Sequence, residues 1–243
     1  MAFEFVQRDN CGMGQERLTV HELRSRWKPT KERLARLCPD HPTAIRLHRA
    51  FSWIARCEQV KDGEEEDVLL ICLWIAFNGL YGRWDEERRE PLPDRMCWRE
   101  FLDRLLAIDK GGQLSGMLLA QRDLVMSILD DEYLSTFFWE EPTLVRASKS
   151  KKAKYDARTW YVENKWSLIL DRVLERVYLL RCQLIHGAAT YGGKLNRESV
   201  KRCVALLRNL MDAVLMVIIN DGADVGWGAM CYPPLKQRKQ RAE

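Results

Sequence analysis

The chain lacks any Cys-x-x-Cys pair, although it carries eight cysteines, Cys11, Cys38, Cys57, Cys72, Cys97, Cys182, Cys203 and Cys231. Several fall inside helical apolar stripes, where a reduced cysteine packs as a small hydrophobe. Cys38 and His41 have ligand-like spacing, but no second Cys/His pair accompanies them, and His21 and His48 sit in charged segments, so neither a metal nor a cofactor is expected. Also missing is the apolar core of a signal peptide, since residues 1–10 include Glu4, Gln7, Arg8 and Asp9. The longest apolar run, 68–81, falls short of the ~20 residues that a bilayer crossing requires, and it contains Asn78. A cytoplasmic protein with reduced thiols and no membrane contact is the expectation. Strand-like alternation is rare, and no glycine-rich phosphate loop follows a strand; Gly111-Gly112 and Gly192-Gly193 read as turns. There is little excess of either charge, the net being +4, so any basic surface for nucleic acid must be local.

What is present is core material and helical periodicity. With 47% hydrophobic and 30% charged residues the chain excludes wholesale disorder. The expected fold is all-α: a helical extension over 1–40, a helical bundle over 41–235 and a basic tail over 236–243. In the extension, short charged helices are expected over 15–27 and 30–38, broken near Pro29 and Pro39. Ile45, Leu47, Phe51, Ile54 and Ala55 form a helical stripe over 43–60. After a turn at Lys61-Asp62-Gly63, the acids of 64–67 suit the start of a helix over 65–82, apolar nearly all round and therefore central. Helices are expected over 98–108 and 113–129, and Phe137-Phe138-Trp139 is expected to cap the core. The segment 146–158 holds Arg146, Lys149, Lys151, Lys152, Lys154 and Arg158. It reads as a basic loop, either simply solvated or steering phosphates. The longest helix is expected over 160–186, and the last runs from an N-cap at Asn196 to Asp221-Gly222.

One residue breaks the pattern of the long helix. Leu170, Val177 and Leu184 form one row of a seven-residue repeat, and in the companion row Leu174 is followed by Arg181. A guanidinium directed at packed surface needs a carboxylate, a second subunit or a phosphate, unless it snorkels out at the helix end. His186 follows five residues later, about 140° round a regular helix, so the two do not share a face. They converge only through arginine's reach, through unwinding over 185–187, or across two copies of the helix. A two-fold axis makes the last route natural. Cys182 shares the face of His186, with Gln183 beside it. A second Arg-x4-His, Arg36 to His41, is interrupted by Pro39.

Three stretches resemble the HEPN-domain proteins, in particular their Apea-like branch. YLLRCQLIHGAATYGGKLNR (178–197) is similar to that family's Arg-x4-His-Gly followed by an Asn-Arg that begins the last helix. WIAFNGLYG (74–82) resembles the branch's Phe-Asn-x-Leu-Tyr signature. More loosely, Phe138-Trp139 and WGAMCYPP (227–234) match as well. The resemblance implies an antiparallel bundle that forms a homodimer through its motif helices. Many members are metal-independent ribonucleases of toxin–antitoxin, phage-defence or RNA-processing systems. Others bind nucleotides or serve as partners of nucleotidyltransferases. Arg181 and His186 fall on the catalytic positions. Cys182 stands where the family often has Asn, His or Asp, with Gln183 as a possible substitute.

The residue types suit the implied chemistry. Histidine moves protons near neutral pH, and the forked arginine grips a phosphate in two-pronged fashion. Which proton His186 handles stays open. Asn78, strongly polar in an apolar helix, must hydrogen-bond something specific, either within the fold or at the site, with Tyr81 beside it. A nucleophilic Cys182 activated by His186 is a further alternative. Two functions remain: an endoribonuclease acting on RNA as a dimer, with an antitoxin as the partner of a toxin, or a non-catalytic module that binds nucleotide, RNA or a protein such as a nucleotidyltransferase.

Overall fold

A helix with apolar side chains on every face folds only where it has neighbours on every side. In the computed structural model, which describes residues 17–61, 63–194 and 196–232, that helix is α3 (Glu66–Tyr81). Leu69, Leu70, Leu73, Trp74, Phe77 and Leu80 are all buried, each burial worth about 1.5–3 kcal/mol. Around α3 pack α2 (Pro42–Glu58), α4 (Asp94–Ile108), α10 (Trp166–Ile185) and α11 (Arg197–Asp221). Among the described residues the only strands form a short antiparallel hairpin, β1 (Trp84–Asp85) with β2 (Glu90–Pro91), beside an isolated bridge between Arg83 and Met230.

Helix α1 (Val20–Leu37) begins with a capping box: Glu22 N–H donates to Thr19 Oγ1 at 3.2 Å, and Thr19 N–H donates to Glu22 Oε2 at 2.7 Å. It runs unbroken through Pro29, where a break between two helices is expected from sequence. Pro29 lies on the exposed side, so water can take up the carbonyl that its missing N–H leaves free. Val20, Leu23, Trp27 and Leu34 on the other side join the common core against α2 and α11.

Three further differences from the sequence expectation share one cause, that apolar periodicity is blind to single-residue breaks and to alanine-based packing. The helix expected over 113–129 is two, α5 (Gln113–Ala120) and α6 (Arg122–Asp130), separated by Gln121; the buried Leu114, Leu118, Val125 and Leu129 keep helical spacing across the break. The basic segment 146–158 is not a loop but helix, α8 (Leu144–Ser150) followed by α9 (Lys152–Val162). Ala153, Ala157 and Tyr161 seat α9, and the Tyr161 hydroxyl donates to Leu118 O at 3.0 Å. The long helix starts only at Trp166, because Asn164 adopts a left-handed backbone, φ +55°, and separates α9 from α10. Between α6 and α8 lie a 3-10 turn (Glu132–Leu134) and α7 (Thr136–Glu140). Of the expected aromatic cap only Phe138 is buried; Phe137 and Trp139 are exposed.

Among the described helices α11 alone is long and apolar enough to cross a membrane by length and composition, and 67% of that window is buried inside the fold. The segment 1–10, read above as lacking a signal peptide's apolar core, Cys11, Asp62 of the expected turn and the basic tail 236–243 lie outside the described residues.

Candidate functional site

Helix α10 stays α-helical through Ile185, with His186 as its C-cap, so no unwinding brings Arg181 and His186 together. The chain then turns at Gly187, φ +72°, a backbone state that strains residues with a Cβ, and the amides of Ala188 and Ala189 close back on Gln183 O. This leaves His186 exposed at the tip of the helix.

Arg181 is half-buried. Its guanidinium lies over the Tyr178 ring, 5.7 Å from the centroid, and Nη1 approaches Cys182 Sγ at 3.8 Å. Its Nε is buried and has no hydrogen-bond partner among the described residues, and no carboxylate among them pairs with the guanidinium. Among the described residues, the internal acid that would make this arginine merely structural is not there.

Cys182 touches both Arg181 and Tyr178. Gln183 does not stand in for a polar contact to His186. Its Nε2 donates to Tyr133 O at 3.2 Å, and its Oε1 accepts from Asn196 Nδ2 at 3.3 Å, so it ties α10 to the 3-10 turn and to the start of α11. Asn196 holds the N-cap position, yet its side chain makes that strut rather than a cap.

Asn78 finds its partners within the fold. Its Nδ2 donates to Tyr81 Oη at 3.0 Å and to Asp94 Oδ1 at 2.9 Å, and Tyr81 Oη donates to the same oxygen at 2.9 Å. Burial, then the Asp94 charge, pushes the Tyr81 phenol well above its ordinary range. The group nevertheless borders the Arg181 neighbourhood. Trp74 of α3 contacts Tyr178 of α10 at 5.6 Å between centroids, and Trp98 of α4 contacts both, at 5.8 and 5.5 Å. Tyr178 is itself raised by burial, then by Cys182 and Asp94, with Arg181 opposing. The two motif stretches, 74–82 and 178–197, thus meet through three aromatic rings.

The loop beyond His186 is held by residues that sequence reasoning passed over. Asp67 Oδ2 accepts from Gly192 N–H and from Arg197 Nη2, both at 2.8 Å, and Arg197 Nη1 lies 3.4 Å from Glu66. The acidic run 64–67 was the available signal; a helix-dipole role hid its use as an anchor. Arg176 and Arg46 were likewise missed, although they are far more buried than Arg181, at 4% and 2% exposed. Arg46 donates to the carbonyls of Leu80 and Gly82 at 2.8 Å and of Gly228 at 3.2 Å.

The cations expected to steer RNA are partly neutralised. Lys152 pairs with Asp156 at 3.1 Å and Lys154 with Asp130 at 2.8 Å, while Arg146 reaches Glu140 and Glu141 and covers the Phe137 ring at 4.1 Å. Lys149 and Lys151 have no ion pair among the described residues. Among the described residues no group of three or more His, Cys, Asp and Glu side chains is placed to hold a metal ion. No family model, curated protein or solved structure matches the chain.

Proposed function

We propose that the protein is a metal-independent endoribonuclease of the HEPN type, an antiparallel-bundle homodimer with the ends of two α10 helices forming a composite site. The observation that carries this reading is Arg181, a half-buried guanidinium with an unpartnered Nε and no carboxylate among the described residues, five residues before an exposed histidine. Ile185, 49% exposed, and Tyr191, 68% exposed, offer apolar surface beside His186 for the second copy to cover. In the dimer, Arg181 grips the scissile phosphate and His186 handles a proton. The ribose 2′-oxygen forms a bond to phosphorus as its proton leaves, the bond from phosphorus to the 5′-oxygen breaks, and that oxygen is protonated. The products are a 2′,3′-cyclic phosphate and a 5′-hydroxyl. A donor fixed on the developing charge contributes roughly 3–4 kcal/mol. A cytoplasmic toxin or phage-defence role, with an antitoxin or a nucleotidyltransferase as the partner, fits this chemistry.

One observation favours the second reading, a non-catalytic HEPN module that binds nucleotide, RNA or a protein. Cys182 replaces the usual polar residue on the His186 face, and Gln183 is engaged elsewhere. Incubation of the dimer with labelled RNA in excess chelator decides between them. Cleavage that persists in chelator and is lost in His186→Ala supports the nuclease; intact RNA at high protein concentration supports the binding module.

A further inference from the structure

Helix α1 carries basic residues on two flanks, and they behave differently. On the flank toward α11, Arg33 makes a two-pronged pair with Asp224 at 2.8 and 3.0 Å, and Arg17, just before the helix, pairs with Asp212 at 3.2 Å. On the other flank His21, Arg24, Lys28 and Lys31 repeat at three- and four-residue spacing, which sets them in one row along the helix over about 15 Å. Among the described residues none of that row is in an ion pair. The row lines one wall of a groove of about 620 Å³ between α1 and α2; His48 stands on the α2 side, and Glu32 is the sole acid lining it. Trp27 and Phe51, each 3% exposed, close its floor, so the bottom is apolar and the rim is cationic.

Three cations aligned in a groove with one acid, Glu32, and no ion pair among the described residues repel one another, a cost that an anion of repeating charge relieves. A basic groove that tracks a backbone is how single strands are held without regard to sequence. We propose that the α1–α2 groove binds the phosphodiester backbone of single-stranded RNA. The choice of RNA rests on the nuclease reading; the contacts are to phosphates and do not depend on Arg181 or His186. The RNA-holding surface thereby moves from the partly paired α8–α9 lysines to α1.

The test is anisotropy of a fluorescein-labelled 12-nucleotide oligouridylate on the full chain carrying His186→Ala, titrated from 50 to 300 mM KCl, so that binding is read whether or not the protein cleaves. Removing one cation that neutralises a phosphate flattens the log–log salt slope by about 0.7. The R24Q/K28Q/K31Q variant therefore flattens it by about 2 and weakens binding at least tenfold at 50 mM. Glu32→Gln, which removes the groove's acid and leaves α1's buried face untouched, tightens binding and decides the matter if the triple variant misfolds. Unchanged affinity and slope in these variants overturns the proposal. So does transfer of the salt slope to K149Q/K151Q, or binding to anionic lipid vesicles with none to the oligonucleotide.

Discussion

Arg176 and Arg181 stand five residues apart on α10 and meet opposite fates. Arg176 is 4% exposed and donates to Asp131 O at 3.0 Å. Asp131 in turn accepts from Ser199 Oγ at 2.5 Å and Arg202 Nη2 at 2.7 Å, so the cation lies in a polar hub joining α10, α11 and the 3-10 turn. Burial lowers the Arg176 guanidinium to about 10, the cost of desolvating a charge that the neighbouring groups only partly offset. Arg181 is less buried but less satisfied: an aromatic face, a thiol, and an Nε with no partner among the described residues. The more deeply buried arginine is structural; the half-buried one has capacity left for a ligand. Burial alone therefore does not single out a cation with room for a ligand, nor does an unpartnered Nε, which the buried Arg46 has as well while its other nitrogens serve three carbonyls; what sets Arg181 apart is that its guanidinium has no oxygen partner among the described residues.

The contrast can be broken at either end. At the functional end, His186→Ala is expected to lower RNA cleavage at least ~100-fold, about 3 kcal/mol of transition-state stabilisation, with the Tm unchanged because the ring is exposed. Parallel rate and melting measurements check both halves. At the structural end, Asp131→Ala removes the carboxylate that receives Ser199 and Arg202 and costs about 3 kcal/mol in denaturant unfolding. A loss under about 1 kcal/mol would mean that this carboxylate is not what holds the start of α11 to the 3-10 turn; the Arg176 bond to the Asp131 carbonyl survives the substitution.

A third charged site sharpens the comparison through pH. Burial lifts the Asp212 carboxyl from 3.8 to about 6, with the nearby Arg17 pulling it down. The folded state then holds a proton more tightly than the unfolded chain, so stability falls as pH rises from about 4 to 6 and stays lower above that. Asp212→Asn escapes this loss. It should be about 1 kcal/mol more stable than the parent at pH 8, a figure discounted for partial exposure and the broken Arg17 pair, and the gain should disappear below about pH 4 in melting scans. Least of all, Lys152→Gln severs an exposed pair with Asp156 and is expected to change stability by about 0.3–0.5 kcal/mol, leaving cleavage as it was.

The central helix, its neighbours and the last helix were legible because their signals are redundant: α3 is apolar on every face, and α11 carries a long stripe of buried residues. Arg181 was legible because it interrupts a row. Arg176 lies among Ile169, Val173 and Leu180 on the buried face of α10, outside the two seven-residue rows that singled out Arg181, and its partner Asp131 lies 45 residues away in sequence, a pairing only the fold reveals. Helix α9 was hidden because two alanines and one tyrosine, rather than leucines, seat it, and α8 was hidden because none of its described side chains over 144–149 is buried. Asp94, which receives both Asn78 and Tyr81, had only Pro93 before it as a helix-start signal. The α1 cations were in view as a spacing, but their lack of counter-ions among the described residues is a property of the fold.

Everything rests on whether Arg181 and His186 direct a 2′-hydroxyl at phosphorus. The most direct measurement is cleavage, by wild type and by Arg181→Ala, of an RNA in which the nucleotide 5′ to the cut carries a single 2′-deoxy substitution. Wild type is expected to cut the all-ribose strand to a 2′,3′-cyclic phosphate and to leave the deoxy-substituted linkage intact, and the cut on the all-ribose strand is expected to vanish when Arg181 is removed. Efficient cleavage at the substituted linkage, or an Arg181→Ala variant as active as wild type, would contradict this chemistry.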